Sequence, residues 1–224
     1  MSEYIKRLIA EGEHQRQDFK FEVSDFRKIA RTLAAFANTD GGRLLVGVKD
    51  NGAIAGVRSE EEYFMIEGAA KIYCKPEISF EVREWQVDGR KVMEVIIKAG
   101  QNKPYLARDE EEHWTAYIRQ ADENFKASPL LLQVWQARQE GRTATIRFRQ
   151  AEKDLLAYLE SHESITQSKF RKICGLSAQH SGKILIDFLL LGLIHIHHTQ
   201  HTALYRLTPD YRNIIKESDR ILNI

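Results

Sequence analysis

The sequence predicts an α+β protein: helices on a mainly antiparallel sheet, followed by a C-terminal winged helix-turn-helix. Three observations carry this. Apolar side chains recur at helical spacing between residues 26 and 37, then give way to a short apolar run of strand type. Two alternating segments flank Asp88-Gly89, as the strands of a hairpin do. Beyond Gly141, three helical stripes precede two further alternating segments.

In chain order, Ser24 is the expected cap of a helix carrying Phe26, Ile29, Ala30, Leu33, Ala34 and Ala37. Asn38-Thr39-Asp40-Gly41-Gly42 stops it, with two glycines free to take positive φ. Leu44 to Val48 reads as a buried strand, and Asp50-Asn51-Gly52 as a tight turn into a strand over 53–57. Ser59-Glu60-Glu61-Glu62 has the form of a capping box for a helix reaching about Tyr73. Ile78, Phe80 and Val82 alternate, Asp88-Gly89 turns, and Val92 to Ile97 returns. Tyr117-Ile118-Arg119 reads as a last strand. Ser128-Pro129 opens a helix that Gly141 closes. The expected division is a domain over 1–127, a linker helix over 128–144 and a second domain over 145–224.

In that second domain Phe148, Leu155, Leu156 and Leu159 form the stripe of a first helix. Ser164-Ile165-Thr166 offers caps for a second, carrying Phe170 and Ile173. Cys174-Gly175-Leu176 is the turn. Ser177 caps a third helix whose inward face is Ile184, Leu185, Phe188 and Leu189, and Gly192 ends it. Residues 193–197 and 203–207 pair as a two-stranded wing.

Composition bounds the function. The chain has 224 residues, 43% hydrophobic and 29% charged, with 33 basic residues against 32 acidic, a balance unlike that of disordered chains. Two cysteines, Cys74 and Cys174, cannot build a disulfide framework and fit a reducing compartment. The N-terminus lacks the apolar core of a signal peptide, and the most apolar stretch, 184–194, is short and broken by Asp187. A cytoplasmic protein without a membrane span is expected. The net charge of +1 hides a division: 20 basic and 23 acidic residues over 1–137, against 13 and 9 over 138–224. From Thr166 to Ile186 stand Lys169, Arg171, Lys172 and Lys183, with no acid. Such a stretch attracts phosphate, although a solvated helix face has the same composition.

The run Ala34-Ala35-Phe36-Ala37-Asn38-Thr39-Asp40-Gly41-Gly42-Arg43-Leu44-Leu45-Val46-Gly47-Val48 resembles the signature of the Schlafen-type AlbA domain family. Glu13-His14-Gln15-Arg16-Gln17-Asp18-Phe19-Lys20 is similar to that family's acidic-x4-acidic-Phe-Lys segment. Asp50-x-Gly52, Gly56, Pro76, Lys103-Pro104-Tyr105 and Tyr117-Ile118-Arg119 also fall at family positions. The resemblance spans roughly residues 8–125. Asp18 replaces the usual Glu, and Gln120-Ala121 replaces a usual small residue or glycine.

The resemblance implies three chemistries. In nuclease members three carboxylates gather, and the matching positions are Glu13, Asp18 and Asp50. Such a set holds Mg²⁺ or Mn²⁺ through oxygen and activates water for metal-dependent RNA cleavage; surface carboxylates at strand and turn ends are the plainer reading. The family's ATP-binding label points to Asn38, Thr39, Gly41 and Gly42 presenting N–H groups to phosphate. No G-x4-G-K-[ST] accompanies them, and the glycine pair has a structural use in turning helix into strand. The third chemistry is nucleic-acid or protein binding without reaction, with Lys20, Arg43, Lys49, Lys103 and Arg119 lining a basic strip.

The C-terminal residues favour duplex DNA. On the third helix Gln179, His180 and Lys183 face a major groove, while Lys169, Arg171 and Lys172 rest on the phosphate backbone. A winged helix used for dimerisation is the alternative. His195, His197, His198 and His201 invite a Zn²⁺ or Ni²⁺ site, but no acid or cysteine completes it. The three tryptophans, Trp85, Trp114 and Trp135, are expected in cores. The expectation is therefore a DNA-binding transcriptional regulator, homodimeric because helix-turn-helix proteins read two half-sites. The alternatives are a metal-dependent endoribonuclease acting on RNA, or an ATP-binding protein.

Overall fold

The computed structural model describes residues 2–144 and 148–222. The chain divides into two compact units, Met1–Ala127 and Ser128–Ile224.

In the first unit the order is α1 (Ser2–Glu11), β1 (Gln17–Lys20), α2 (Phe26–Asn38), β2 (Gly42–Val46), α3 (Glu61–Ile72), β3 (Cys74–Lys75), β4 (Phe80–Val87), β5 (Arg90–Ile97), β6 (Leu106–Arg108), β7 (Trp114–Gln120) and β8 (Glu123–Lys126). Two four-stranded sheets result, β1-β2-β5-β4 and β3-β6-β7-β8. Only β1–β2 is parallel, with Asp18 opposite Leu44; the remaining pairs in both sheets are antiparallel.

Strand alternation sorts the first sheet into two faces. Leu44, Val46, Met93, Val95 and Ile97 pack on α2, in one core with Ala107 and Tyr117 of the second sheet. Phe19, Leu45, Val87 and Val92 take the other face and pack under Ile5 and Leu8 of α1. The helix α2 therefore lies in the interior. Every residue from Ile29 to Asn38 except Arg31 is buried, and its alanines let backbone elements approach on several sides. Its cap is Asp25, whose carboxylate accepts from the N–H groups of Arg27 and Lys28, rather than the exposed Ser24. The segment 53–57 reaches only an isolated bridge, Val48 to Ile54.

The Asp88-Gly89 hairpin has φ of 50° and 76° at its two turn residues, the left-handed pair a two-residue turn requires. Trp114 is 41% exposed, unlike the core position expected. Trp135 is buried, and Trp85 donates to Glu94 at 3.0 Å.

The second unit contains α4 (Pro129–Gln139), α5 (Gln150–Ser161), α6 (Gln167–Cys174), α7 (Ala178–Leu190), β9 (Ile194–His198), β10 (Ala203–Leu207) and α8 (Tyr211–Leu222). The helix expected as a linker, α4, places Leu130 and Val134 in the core formed by Leu155, Phe170, Leu185, Phe188 and Tyr205. Ser128, Thr166 and Ser177 each cap a helix by accepting from the N–H three residues on. Gly175 closes α6 in the left-handed region. β9 and β10 form an antiparallel hairpin, and Ile165, ahead of α6, bridges to Tyr205 as a short third strand. Among the described residues no helix is long and apolar enough to cross a membrane.

Candidate nucleic-acid interface

The motif residues of the first unit converge, but on one another. Asn38 is 3% exposed. Its amide nitrogen donates to the carbonyls of Tyr105 (2.7 Å) and Tyr117 (2.8 Å), and its oxygen accepts from the N–H of Tyr105 at 2.7 Å. Thr39 Oγ1 donates to Ala35 O at 2.6 Å and accepts from Arg119 N at 2.9 Å. Gly41 has φ +68°, and a Cβ there would lie 2.7 Å from Ala99 N and from Ile97 O; one on Gly42 would meet the Phe36 ring at 2.5 Å. Both side chains and both glycines expected at a phosphate site thus join α2 to the two sheets.

Arg119, expected on a basic strip, is instead buried, its side chain 1% exposed. Its guanidinium donates to His14 O (3.1 Å), Gln17 O (3.0 Å), Asn124 Oδ1 (3.3 Å) and Asp18 Oδ1 (3.2 Å), and lies 5.1 Å from the Phe36 ring centre. It cannot reach phosphate from there. Lys20 is half-buried, its ammonium 2.8 Å from Asp18 Oδ2, although that oxygen lacks a well-aligned hydrogen bond.

Of the three candidate metal ligands, two are neighbours. Glu13 Oε1 accepts from Phe19 N at 2.9 Å. Burial holds the Glu13 carboxyl above its usual range; the adjacent Asp18 adds to this, while the Phe19 N–H and Lys20 oppose it. Asp50 lies exposed at the turn beyond β2, and no group of three His, Cys, Asp or Glu able to hold a metal ion occurs among the described residues. With Asp18 turned to Arg119 and Lys20, these residues do not fit a three-carboxylate Mg²⁺ or Mn²⁺ set.

The histidines of β9 and of the turn after it form no metal-holding group among the described residues. His198 faces inward; burial chiefly, with His197 beside it, pushes its pKa down to about 4. His195 is lowered by burial and by Arg206 opposite it on β10, a cation that would repel a metal ion.

The candidates of the second unit stand differently. Lys169, Arg171, Lys172, Gln179, His180 and Lys183 are all exposed. The side chains of Lys169, Arg171, Lys172, Gln179 and Lys183 make no hydrogen bond or ion pair within the described residues. The opposite face of α7, with Ile184, Leu185, Phe188 and Leu189, is buried. Gln167 Nε2 donates to Ala178 O (3.0 Å) and Ser181 Oγ (3.2 Å), fixing the start of α6 against the start of α7. At Gly182 a Cβ would stand 3.3 Å from Gln167 and from Leu130, so a small residue permits this close packing. The outcome is a closely packed helix pair whose outer surface carries donors without a partner among the described residues.

The sequence model of a family described as Schlafen, AlbA_2 matches residues 13–128. Among solved structures, the DIP2311 protein from Corynebacterium diphtheriae aligns with a TM-score of 0.46 and 16% identity, covering 99% of this chain and 47% of that one. The chain thus spans about half the length of that protein. The N-terminal domain of a protein from Nitrosomonas europaea related to the ATP-dependent DNA helicase RecG aligns with a TM-score of 0.41 and 22% identity, over 53% of this chain and 86% of that one. No curated protein matches the chain.

Proposed function

The chain belongs to the Schlafen, AlbA_2 family, and from that premise we propose a nucleic-acid-binding regulator whose second unit is a winged helix that grips duplex DNA. The observation that carries the reading is the outer surface of α6 and α7. Lys169, Arg171, Lys172 and Lys183 are exposed, and no carboxylate neutralises them within the described residues. Cations of this kind position a protein on phosphate, and Gln179 and His180 stand where base edges would be read. The hairpin after α7, with Ile165 as its third strand, supplies the wing. A homodimer presenting two such helices to a two-fold site follows the usual geometry of the motif.

The test is a duplex titration. Arg171→Ala with Lys183→Ala weakens DNA affinity and flattens its salt dependence by roughly 0.9 in log–log slope for each phosphate no longer neutralised. An unchanged affinity and slope would remove the recognition surface from consideration. The endoribonuclease alternative gains nothing from the geometry, because Asp18 is bound by Arg119 and Lys20 while Asp50 stands outside any three-ligand group.

A further inference from the structure

A second basic feature lies wholly within the first unit. The start of α2 and strands β6 to β8 wall a cleft of about 240 Å³, lined by Arg27, Lys28, Arg31, Arg108, Tyr117 and Lys126, with the acidic turn after β6 along one side. Arg27 and Arg31 share one face of α2, four residues apart. Lys126 is the cross-strand partner of Tyr117, and the Arg31 guanidinium lies 5.9 Å from the Tyr117 ring centre. Fold and register thus bring together five cations from segments about eighty to one hundred residues apart.

The acids of the turn do not neutralise them all. Asp109 is turned inward, accepting from the N–H groups of Glu111 (3.1 Å) and His113 (2.8 Å) and from the Thr115 hydroxyl (2.9 Å). These bonds hold its carboxyl below the usual range, the His113 N–H foremost, so it serves the turn. Lys126 approaches it only to 4.0 Å. Glu111 is 83% exposed and lies beside His113. Glu110 lines the cleft with Asp109 and Glu111 but pairs with none of its cations, whereas Glu112 engages two of them: its two oxygens lie against the guanidiniums of Arg27 and Arg108. Lys28 and Arg31 have no carboxylate partner among the described residues.

Glu112 is conspicuous for a second reason. Its φ is +67°, a left-handed corner where Gly or Asn is the easier residue and a longer side chain is disfavoured. Turn geometry does not call for Glu at that position. A carboxylate set between two guanidiniums occupies the kind of cationic position in which arginine pairs also hold phosphate.

We propose that this cleft is a binding site for the phosphates of a single nucleic-acid strand, with Glu112 as a resident substitute that an incoming phosphate displaces from Arg27 and Arg108. Lys28, Arg31 and Lys126 hold the phosphates that flank it. The site is separate from the helix surface of the second unit and stands whether or not that surface binds duplex.

The test uses the full chain carrying Arg171→Ala and Lys183→Ala, so that the second unit contributes least. A short fluorescein-labelled single-stranded DNA is titrated by anisotropy at several salt concentrations. Glu112→Gln tightens binding about three- to tenfold and steepens the salt slope by about 0.7 for each additional phosphate neutralised. Lys28→Ala with Arg31→Ala weakens binding and lowers the slope by about 1.4, two phosphates at that value. All three side chains reach the surface, and matching urea midpoints verify that the variants are folded. Affinity and slope unmoved in both variants would overturn the site. Equal affinity for polyglutamate would overturn the assignment to phosphate.

Discussion

Asp18 and Arg119, one hundred and one residues apart, form an ion pair at 3.2 Å with side chains 6% and 1% exposed. The pair ties β1 of the first sheet to β7 of the second, alongside α2. The same guanidinium also collects the carbonyls of His14 and Gln17, so it closes the segment leading into β1.

Removing the cation takes one buried donor each from Asp18, which keeps Lys20, and from the His14 and Gln17 carbonyls, which keep each other's backbone N–H groups. Arg119→Met should destabilise the first unit by about 3–5 kcal/mol, the usual cost of breaking a buried pair from one side. Urea unfolding measures it. A loss below about 1 kcal/mol would show the pair to be ornamental.

The glycines of the first unit give a contrast that isolates packing from backbone freedom. Gly89 and Gly41 both have positive φ, +76° and +68°, but a Cβ at Gly89 meets nothing within 4 Å while one at Gly41 lies 2.7 Å from two backbone atoms. Gly89→Ala should cost about 1–2 kcal/mol for the left-handed conformation alone. Gly41→Ala adds the overpacking cost of about 1–3 kcal/mol. Equal losses in urea unfolding would mean that the β5 end yields freely.

His198 makes the second unit acid-sensitive. Its folded pKa, about 4, lies below the ordinary value of 6.5, so the unfolded chain binds the extra proton between those values. Its neutral form is therefore compatible with the fold above pH 6.5, and stability falls as pH drops from there through about 4. The full difference is of order 3 kcal/mol at one pKa unit to about 1.4 kcal/mol. His198→Gln should flatten this part of the pH–stability curve; an identical slope in the variant would assign the acid sensitivity to other groups.

Much of the architecture was legible because the signals were local. The stripe Ile29, Leu33, Phe36 marked α2, and Ser128, Thr166 and Ser177 marked three helix starts that the structure caps as expected. The α1 helix was missed although Ile5 and Leu8 carry its apolar face. Strands of two to four residues, such as β3, β6 and β8, are too short to display an alternation.

The candidate sites were legible to different degrees for the same reason. The exposed cations of α6 and α7 sit on consecutive segments whose outward face follows from helical spacing. Nothing beside Arg119 in the chain announces its burial, since Asp18, His14 and Gln17 reach it from the far side of the domain. The cleft between α2 and β6–β8 was invisible because its cations come from three regions, each unremarkable alone. Asn38, Thr39 and the glycines stand out in the sequence as a turn-forming cluster, and in the structure they make internal hydrogen bonds and close backbone approaches.

An interior α2 has a consequence for how the first unit opens. Its amides are sheltered by elements from both sheets, so neither sheet can peel away without wetting the same helix. Partial opening of this unit therefore has no inexpensive route past the buried part of α2, and the backbone N–H groups of residues 32–38 should exchange with solvent deuterium only when the whole unit unfolds. The signature segment would then report the global unfolding free energy, whereas the turn bearing Glu112 exchanges through small local excursions.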